Sequence, residues 1–221
     1  MLKIGHRGAR AYEPENTLRS FQRAIELGVD AVELDVRKTK DNELVVIHNA
    51  DVNKTTDGTG SVNELTLDEI KRLVTEKGEK VPTLAEVLDF VGKRVKILIE
   101  LKEVGTEEQV LGLISQKGLM DNVIIASFHE EALKKVRELN AEVATGLIYV
   151  NHKNPIPSAL DLKVNYLLSL YRFTHAVNVK KAHEKGLKVI VWTINRKEEV
   201  AEYMKKGVDG IASDRPDILN V

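Results

Sequence analysis

The chain has 221 residues, 43% of them hydrophobic and 30% charged, with a net charge of −1 and no cysteine. This length supports one sizeable core and this composition a soluble globular chain. The balanced charge gives no basic face for nucleic acid, and the lack of cysteine excludes disulfides and thiolate metal sites. No apolar run approaches the roughly 20 residues of a membrane span. "MLKI" meets His6 at once, so no signal-peptide core is expected, and the expected location is the cytoplasm. High charge without cysteine also points to a heat-adapted source.

The chain opens with an apolar strand expected over 2–6, running into "GHRGARAYEPENT". His6 and Arg7 thus stand together at a strand end between two glycines. A capped turn with a surface arginine is the plain explanation; an anion arriving at the strand end is the other. A helix follows over 16–27, then a strand over 31–36. Side chains alternate along a strand, so Glu33 and Asp35 share one face while Val32, Leu34 and Val36 share the other. Two carboxylates side by side repel each other and resist ionisation unless a cation joins them.

"ELVVIH" (43–48) reads as a further strand, but only "KTKDN" separates it from the last. Five residues cannot make a parallel crossover, which needs a dozen or more. It is therefore expected to fold back antiparallel and bring His48 towards Glu33 and Asp35. Residues 49–82 read as a small, turn-rich insertion with one amphipathic helix opened by a Thr66/Glu69 capping box.

From there strands and helices alternate. Strands are expected over 95–100, 122–127, 142–148, 165–169, 187–193 and 209–212. Helices are expected over 84–91, 106–117, 129–139, 175–185 and 196–205. Thr83 with Glu86 and Thr106 with Gln109 have capping-box spacing. Gly28, Gly118, Gly186 and Gly207 stand where helix C-caps belong. The connection over 150–163, with Pro155 and Pro157, is the least regular. Eight strands alternating with helices over this length predict a single (β/α)8 TIM barrel spanning 1–221, with 49–82 as its insertion. A doubly wound sheet is the alternative fold.

In "VKILIELK", Ile97, Ile99 and Leu101 face one way, and Leu98, Glu100 and Lys102 the other. Glu100 makes a third carboxylate at the same barrel mouth. Three carboxylates on neighbouring strands form a hard oxygen site suited to Mg²⁺ or Ca²⁺. His6 and His48 add two imidazoles, and Arg7 adds a fork for phosphate oxygens. Trp192 ends the strand "VIVWTIN", either as core packing or as a flat wall against substrate carbons.

The ordered motifs "HRGARAYEPENT", "GVDAVELDVRKTKDNELVVIH", "TTDGTGSVNELT", "VPTLAEVL", "ILIELK", "VIVWTIN" and "GVDGIASDRP" resemble the glycerophosphodiester phosphodiesterase family over nearly the whole chain. The resemblance implies a TIM barrel that hydrolyses glycerophosphodiesters to glycerol 3-phosphate and an alcohol with one divalent cation. It implies His6 and His48 as acid and base, and Glu33, Asp35 and Glu100 as metal ligands. It also implies Arg7, Lys102 and Trp192 as substrate-binding residues. The small-molecule substrate leaves no expected role for nucleic acid or membrane. The chain departs from the family at Asn49, where Asp usually follows the second histidine, and at Lys54, where Arg is common. A phospholipase-type enzyme on the same core would need an apolar rim, which the polar 49–82 insertion does not offer. A silent phosphate-binding barrel would not need two imidazoles.

Overall fold

The protein is described here by a computed structural model covering residues 1–150 and 154–220. The strands are β1 (Leu2–Gly5), β2 (Ala31–Lys38), β3 (Leu44–Val46), β4 (Lys96–Leu101), β5 (Val123–Ser127), β6 (Ala144–Tyr149), β7 (Tyr166–Leu170), β8 (Lys188–Trp192) and β9 (Gly210–Ser213). The helices are α1 (Leu18–Glu26), α2 (Leu67–Arg72), α3 (Leu84–Val91), α4 (Glu107–Gln116), α5 (Glu130–Leu139), α6 (Ile156–Asp161), α7 (Ala176–His183) and α8 (Lys197–Lys205). Among the described residues, eight parallel strands pair in the order β1–β9–β8–β7–β6–β5–β4–β2. The β1–β2 pairing closes them into a TIM barrel. β3 lies outside the ring, antiparallel on β2 with Val46 opposite Val36, as the five-residue connection requires.

The period-two pattern of each strand sorts its side chains into two layers. Val32, Leu34, Val36, Ile97, Ile99 and Leu101 point outward and are buried under α1, α3 and α4. Leu147, Leu167, Val189, Val191 and Ile211 do the same under α5 to α8. The inner layer holds Ile4, Ala31, Leu98, Ile124, Ala126, Ile148, Leu168, Ile190 and Ala212. Each fully enclosed Leu or Ile stabilises the fold by about 1.5–3 kcal/mol. Gly146 makes room inside the ring, since a Cβ there would stand 2.4 Å from Leu168 Cδ1.

Helix ends follow local chemistry. Thr66/Glu69 and Thr83/Glu86 form reciprocal capping boxes on α2 and α3. Thr106 heads α4 but makes no side-chain cap. Gln109 instead donates to the Asn42 carbonyl oxygen, and Glu107 turns back to accept from Gly105 N–H. The expected Thr106/Gln109 box is therefore absent. Pro155 and Pro157 open the six-residue α6 inside the segment expected to be irregular; residues 151–153 of that segment lie outside the described residues. The insertion packs Val52, Val62, Ile70 and Val81 against Val45 and Ile47 beside the barrel. No helix among the described residues is long and apolar enough to cross a membrane.

Candidate active site

Strand register assembles the site. Asp35 and Glu100 are direct partners across β2 and β4. Gly5, the last residue of β1, pairs with Val32 on one side and Ser213 on the other. The next residue of each strand therefore meets at the mouth: His6, Glu33 and Asp214. The Ile47 N–H donates to the Asp35 carbonyl oxygen at 2.9 Å, which returns His48 to the same level.

The loop after β1 is turned tightly. Arg7 has φ +52° and Gly8 has φ +80°. At Gly8 a Cβ would stand 2.4 Å from Ser20 Oγ and 2.6 Å from the Ser20 carbonyl carbon, so only glycine lets this loop close on α1. The turn directs the Arg7 backbone N–H to Glu33 Oε2 at 2.7 Å. It also places the Arg7 guanidinium against Glu15 at 2.9 Å and Asp35 at 3.3 Å.

Asp35 is 1% exposed and sits at the floor of the site. It accepts from Asn16 Nδ2 at 2.8 Å and pairs with Lys102 Nζ at 3.4 Å. Lys102 also donates to Glu100 at 2.6 Å. Burial acts to raise the Asp35 pKa, but Lys102, Arg7, His48 and Asn16 overcome it and hold the carboxyl below its ordinary range. Glu33 goes the other way: burial pushes it well up, and Asp35 and Glu100 add repulsion. Burial and Asp35 likewise push Glu100 up to about 7.

Oxygens of Glu33, Asp35 and Glu100 lie within 4.8 Å of one another. The donor set is all carboxylate, and Asp35 Oδ1 is buried without a hydrogen-bond partner. Two buried carboxyls that resist losing their protons become favourable ligands once a divalent cation sits among them. The residues therefore fit a hard cation such as Mg²⁺ or Ca²⁺.

The two imidazoles are held differently. His6 Nδ1 lies 2.6 Å from Asp214 Oδ1, and its Nε2 faces the site, 4.0 Å from Glu33. Asn195 Nδ2 donates to the other Asp214 oxygen at 2.8 Å. His6 and Arg10, with Asn195, hold the Asp214 carboxyl below its usual range against the effect of burial. His48 Nδ1 lies 2.9 Å from the Asn49 amide oxygen. Burial lowers the His48 pKa, Arg7 and Lys102 lower it further, and Asp35 and Asn49 oppose them.

A cavity of about 320 Å³ opens at the mouth. His6, Arg7, Glu33, His48, Glu100 and Lys102 form one side of its wall. Ala126, Phe128, Ile148, Leu168, Ile190 and Trp192 form the other. Asp35 lies behind this wall, under Arg7 and Lys102. Trp192 and Phe128 meet edge to face with centroids 6.0 Å apart. A larger cavity of about 530 Å³ lies outside the barrel between α6 and α7, where the charged residues of the described lining are Lys181, Glu184 and Lys185.

Asp214, Asn195, Glu15, Asn16 and Arg10 escaped the sequence reading. All five stand inside motifs already singled out: Arg10, Glu15 and Asn16 in "GHRGARAYEPENT", Asn195 at the end of "VIVWTIN" and Asp214 in "GVDGIASDRP". Barrel closure was the available signal for Asp214, because it puts the last strand beside the first.

Comparison with known proteins agrees with this geometry. A sequence model of the glycerophosphoryl diester phosphodiesterase family matches residues 6–218. The glycerophosphodiester phosphodiesterase of Caldanaerobacter subterraneus subsp. tengcongensis is 39% identical, covering 99% of this chain and 96% of that protein. The crystal structure of glycerophosphodiester phosphodiesterase from Agrobacterium tumefaciens superposes with a TM-score of 0.89 at 28% identity, covering 100% of both chains. An Oleispira antarctica phosphodiesterase in complex with the product sn-glycerol-3-phosphate superposes with a TM-score of 0.90 at 27% identity, covering 98% of this chain and 94% of that one. Matched from its first histidine to its last turn, the chain belongs to the glycerophosphoryl diester phosphodiesterase family.

Proposed function

We propose that this chain hydrolyses glycerophosphodiesters to glycerol 3-phosphate and an alcohol in the cytoplasm, with one divalent cation, Mg²⁺ or Ca²⁺, held by Glu33, Asp35 and Glu100. The observation that carries this reading is the convergence of Glu33, Glu100, two imidazoles, Arg7 and Lys102 on one side of a single cavity, with Asp35 directly behind them, in a chain of this family. A bound cation would neutralise charge developing on phosphoryl oxygens.

The remaining steps belong to the protein. Arg7 and Lys102 present fixed positive charge to a phosphodiester anion. Both are tied to Asp35, so their orientation precedes binding. His6 serves as base. Asp214 holds its Nδ1–H, which leaves Nε2 bare towards the cavity and offsets the charge the ring gains on taking a proton. That proton comes from the nucleophile, water or the glycerol 2-hydroxyl. His48 serves as acid and gives its Nε2 proton to the departing alcohol, with Nδ1 anchored on Asn49. Trp192 and Phe128 form the apolar wall on which glycerol carbons rest.

The test is release of glycerol 3-phosphate from glycerophosphocholine, before and after exhaustive chelation. Turnover should vanish with chelator and return with Mg²⁺ or Ca²⁺. Undiminished turnover in chelator contradicts the reading.

A further inference from the structure

The charged half of the mouth has a second storey. β2 runs eight residues, where β1 has four and β4 has six, so its end stands above the opening. Alternation puts Arg37 on the β2 face that carries Glu33 and Asp35, about 7 Å beyond Asp35. Its side chain is 15% exposed and is not among those lining the 320 Å³ cavity. It is bonded on two sides instead. Nε donates to the His48 carbonyl oxygen at 2.9 Å, and Nη1 pairs with Glu103 Oε2 at 3.5 Å.

Glu103 in turn accepts from the Lys38 N–H at 2.6 Å through its other oxygen. Lower on the same seam, Gln109 donates to the Asn42 carbonyl oxygen at 2.8 Å. The hairpin that ends in His48 and the loop that follows Lys102 are thus fastened together.

His48 needs such a tie. The Ile47 N–H still bonds β2 at Asp35, but from His48 the chain bends away into the insertion. The contact of His48 Nδ1 with Asn49 joins neighbours in sequence, so it orients the ring on its own backbone and not on the barrel. His6 is held differently, by Asp214 just beyond β9, which Asn195 just beyond β8 braces. We propose that Arg37 is a positioning residue for His48. It fixes the His48 backbone to β2 and, through Glu103, to the loop after Lys102, so that the acid and the phosphate-binding lysine keep one spacing. The proposal rests on the role given to His48 above.

The experiment compares glycerophosphocholine with the p-nitrophenyl ester of glycerol 3-phosphate, whose leaving group departs as a stable phenolate and needs no acid. Arg37→Met should lower kcat on glycerophosphocholine roughly 10-fold, within the 10²-fold that a 1 Å misplacement can cost. KM should stay within about twofold, because Arg37 does not touch the substrate. The p-nitrophenyl ester should be spared, as it should be in His48→Ala; a general structural defect would slow both esters alike. Added to His48→Ala, Arg37→Met should have no further effect. Glu103→Gln, a second variant at a more exposed position, should show a smaller loss of the same pattern if Arg37→Met does not fold. The His48 ring Cε1–H resonance, assigned by its absence in His48→Ala, should shift or broaden in both variants while that of His6 stays in place. Wild-type kcat in Arg37→Met, an equal loss in the His48→Ala background, or an unmoved His48 resonance overturns the proposal. The resonance needs no turnover, so inert glycerophosphocholine would sink the phosphodiesterase reading and still decide whether Arg37 holds His48. If His48→Ala slows both esters alike, the acid role falls, and the double variant alone judges Arg37.

Discussion

The barrel mouth is built from one backbone plan and two chemistries. On β1, β2 and β4 the side chains at the opening are His6, Glu33, Asp35 and Glu100, with Lys102 just beyond. On β5 to β9 they are Ala126, Ile148, Leu168, Ile190 and Ala212. The second half continues the inner core and stabilises the ring. The first half burdens it, because burial and mutual repulsion push Glu33 and Glu100 up towards protonation. A fold retains such a cluster at a cost to its own stability when the cluster performs a task. Substitutions in the two halves should therefore have opposite signatures.

The largest expected effect is on the charged half. His6→Ala and His48→Ala should each lower kcat by roughly 10²–10⁴, the range for lost acid–base catalysis, with little change in thermal stability. Turnover and a melting curve on the same preparation check both parts. A near-normal rate removes that histidine from the chemistry.

On the apolar half the signature reverses. Ile124 is buried inside the ring below the cavity. Ile124→Ala should cost about 2–5 kcal/mol of stability while kcat of the folded fraction stays within a few-fold. Loss of activity without loss of stability would break the division of labour.

How far this division could be read beforehand depends on what each feature needs. The period-two pattern of "AVELDV" and "VKILIE" was enough to put Glu33, Asp35 and Glu100 inside and the valines and isoleucines outside, since strand parity is local. The five-residue link before "ELVVIH" was enough to fold His48 back. The His6–Asp214 pair depends on ring closure between residues far apart in sequence, and no local pattern encodes it. The Thr106/Gln109 box failed because Gln109 found a better partner on the loop after β2. Helix α6 was hidden by two prolines, which read as breakers although the first helical turn tolerates them.

A third outcome concerns pH. Glu100 holds its proton up to about 7 in the folded chain against an ordinary 4.5. An acid raised on folding contributes stability that is full below its unfolded value and is lost as pH climbs through the folded value. His48, lowered from 6.5, destabilises in the opposite sense as pH falls. Between pH 6.5 and about 8 the carboxyl effect dominates, so the metal-free protein should melt lower as pH rises. Glu100→Gln should flatten that slope. An unchanged slope in this variant would mean Glu100 is already ionised.

The smallest effect sharpens the contrast between the histidines. Asn49→Asp places a carboxylate where an amide now stands 2.9 Å from His48. An adjacent negative charge favours the imidazolium. With His48 as the acid, the basic limb of kcat/KM should move to higher pH. Movement of the acidic limb instead would exchange the roles assigned to His6 and His48.

The central claim is that the charged half is a cation site, and calorimetric titration of the metal-free chain with Mg²⁺ and Ca²⁺ tests it most directly. Run in two buffers of different ionisation enthalpy, the titration counts bound ions and released protons together. It should show one cation per chain and proton release on binding near pH 6.5, because Glu33 and Glu100 must ionise to serve as ligands. Affinity should rise with pH and collapse in Glu100→Gln. No heat from either ion at millimolar concentration, or binding that Glu100→Gln leaves untouched, would contradict the account.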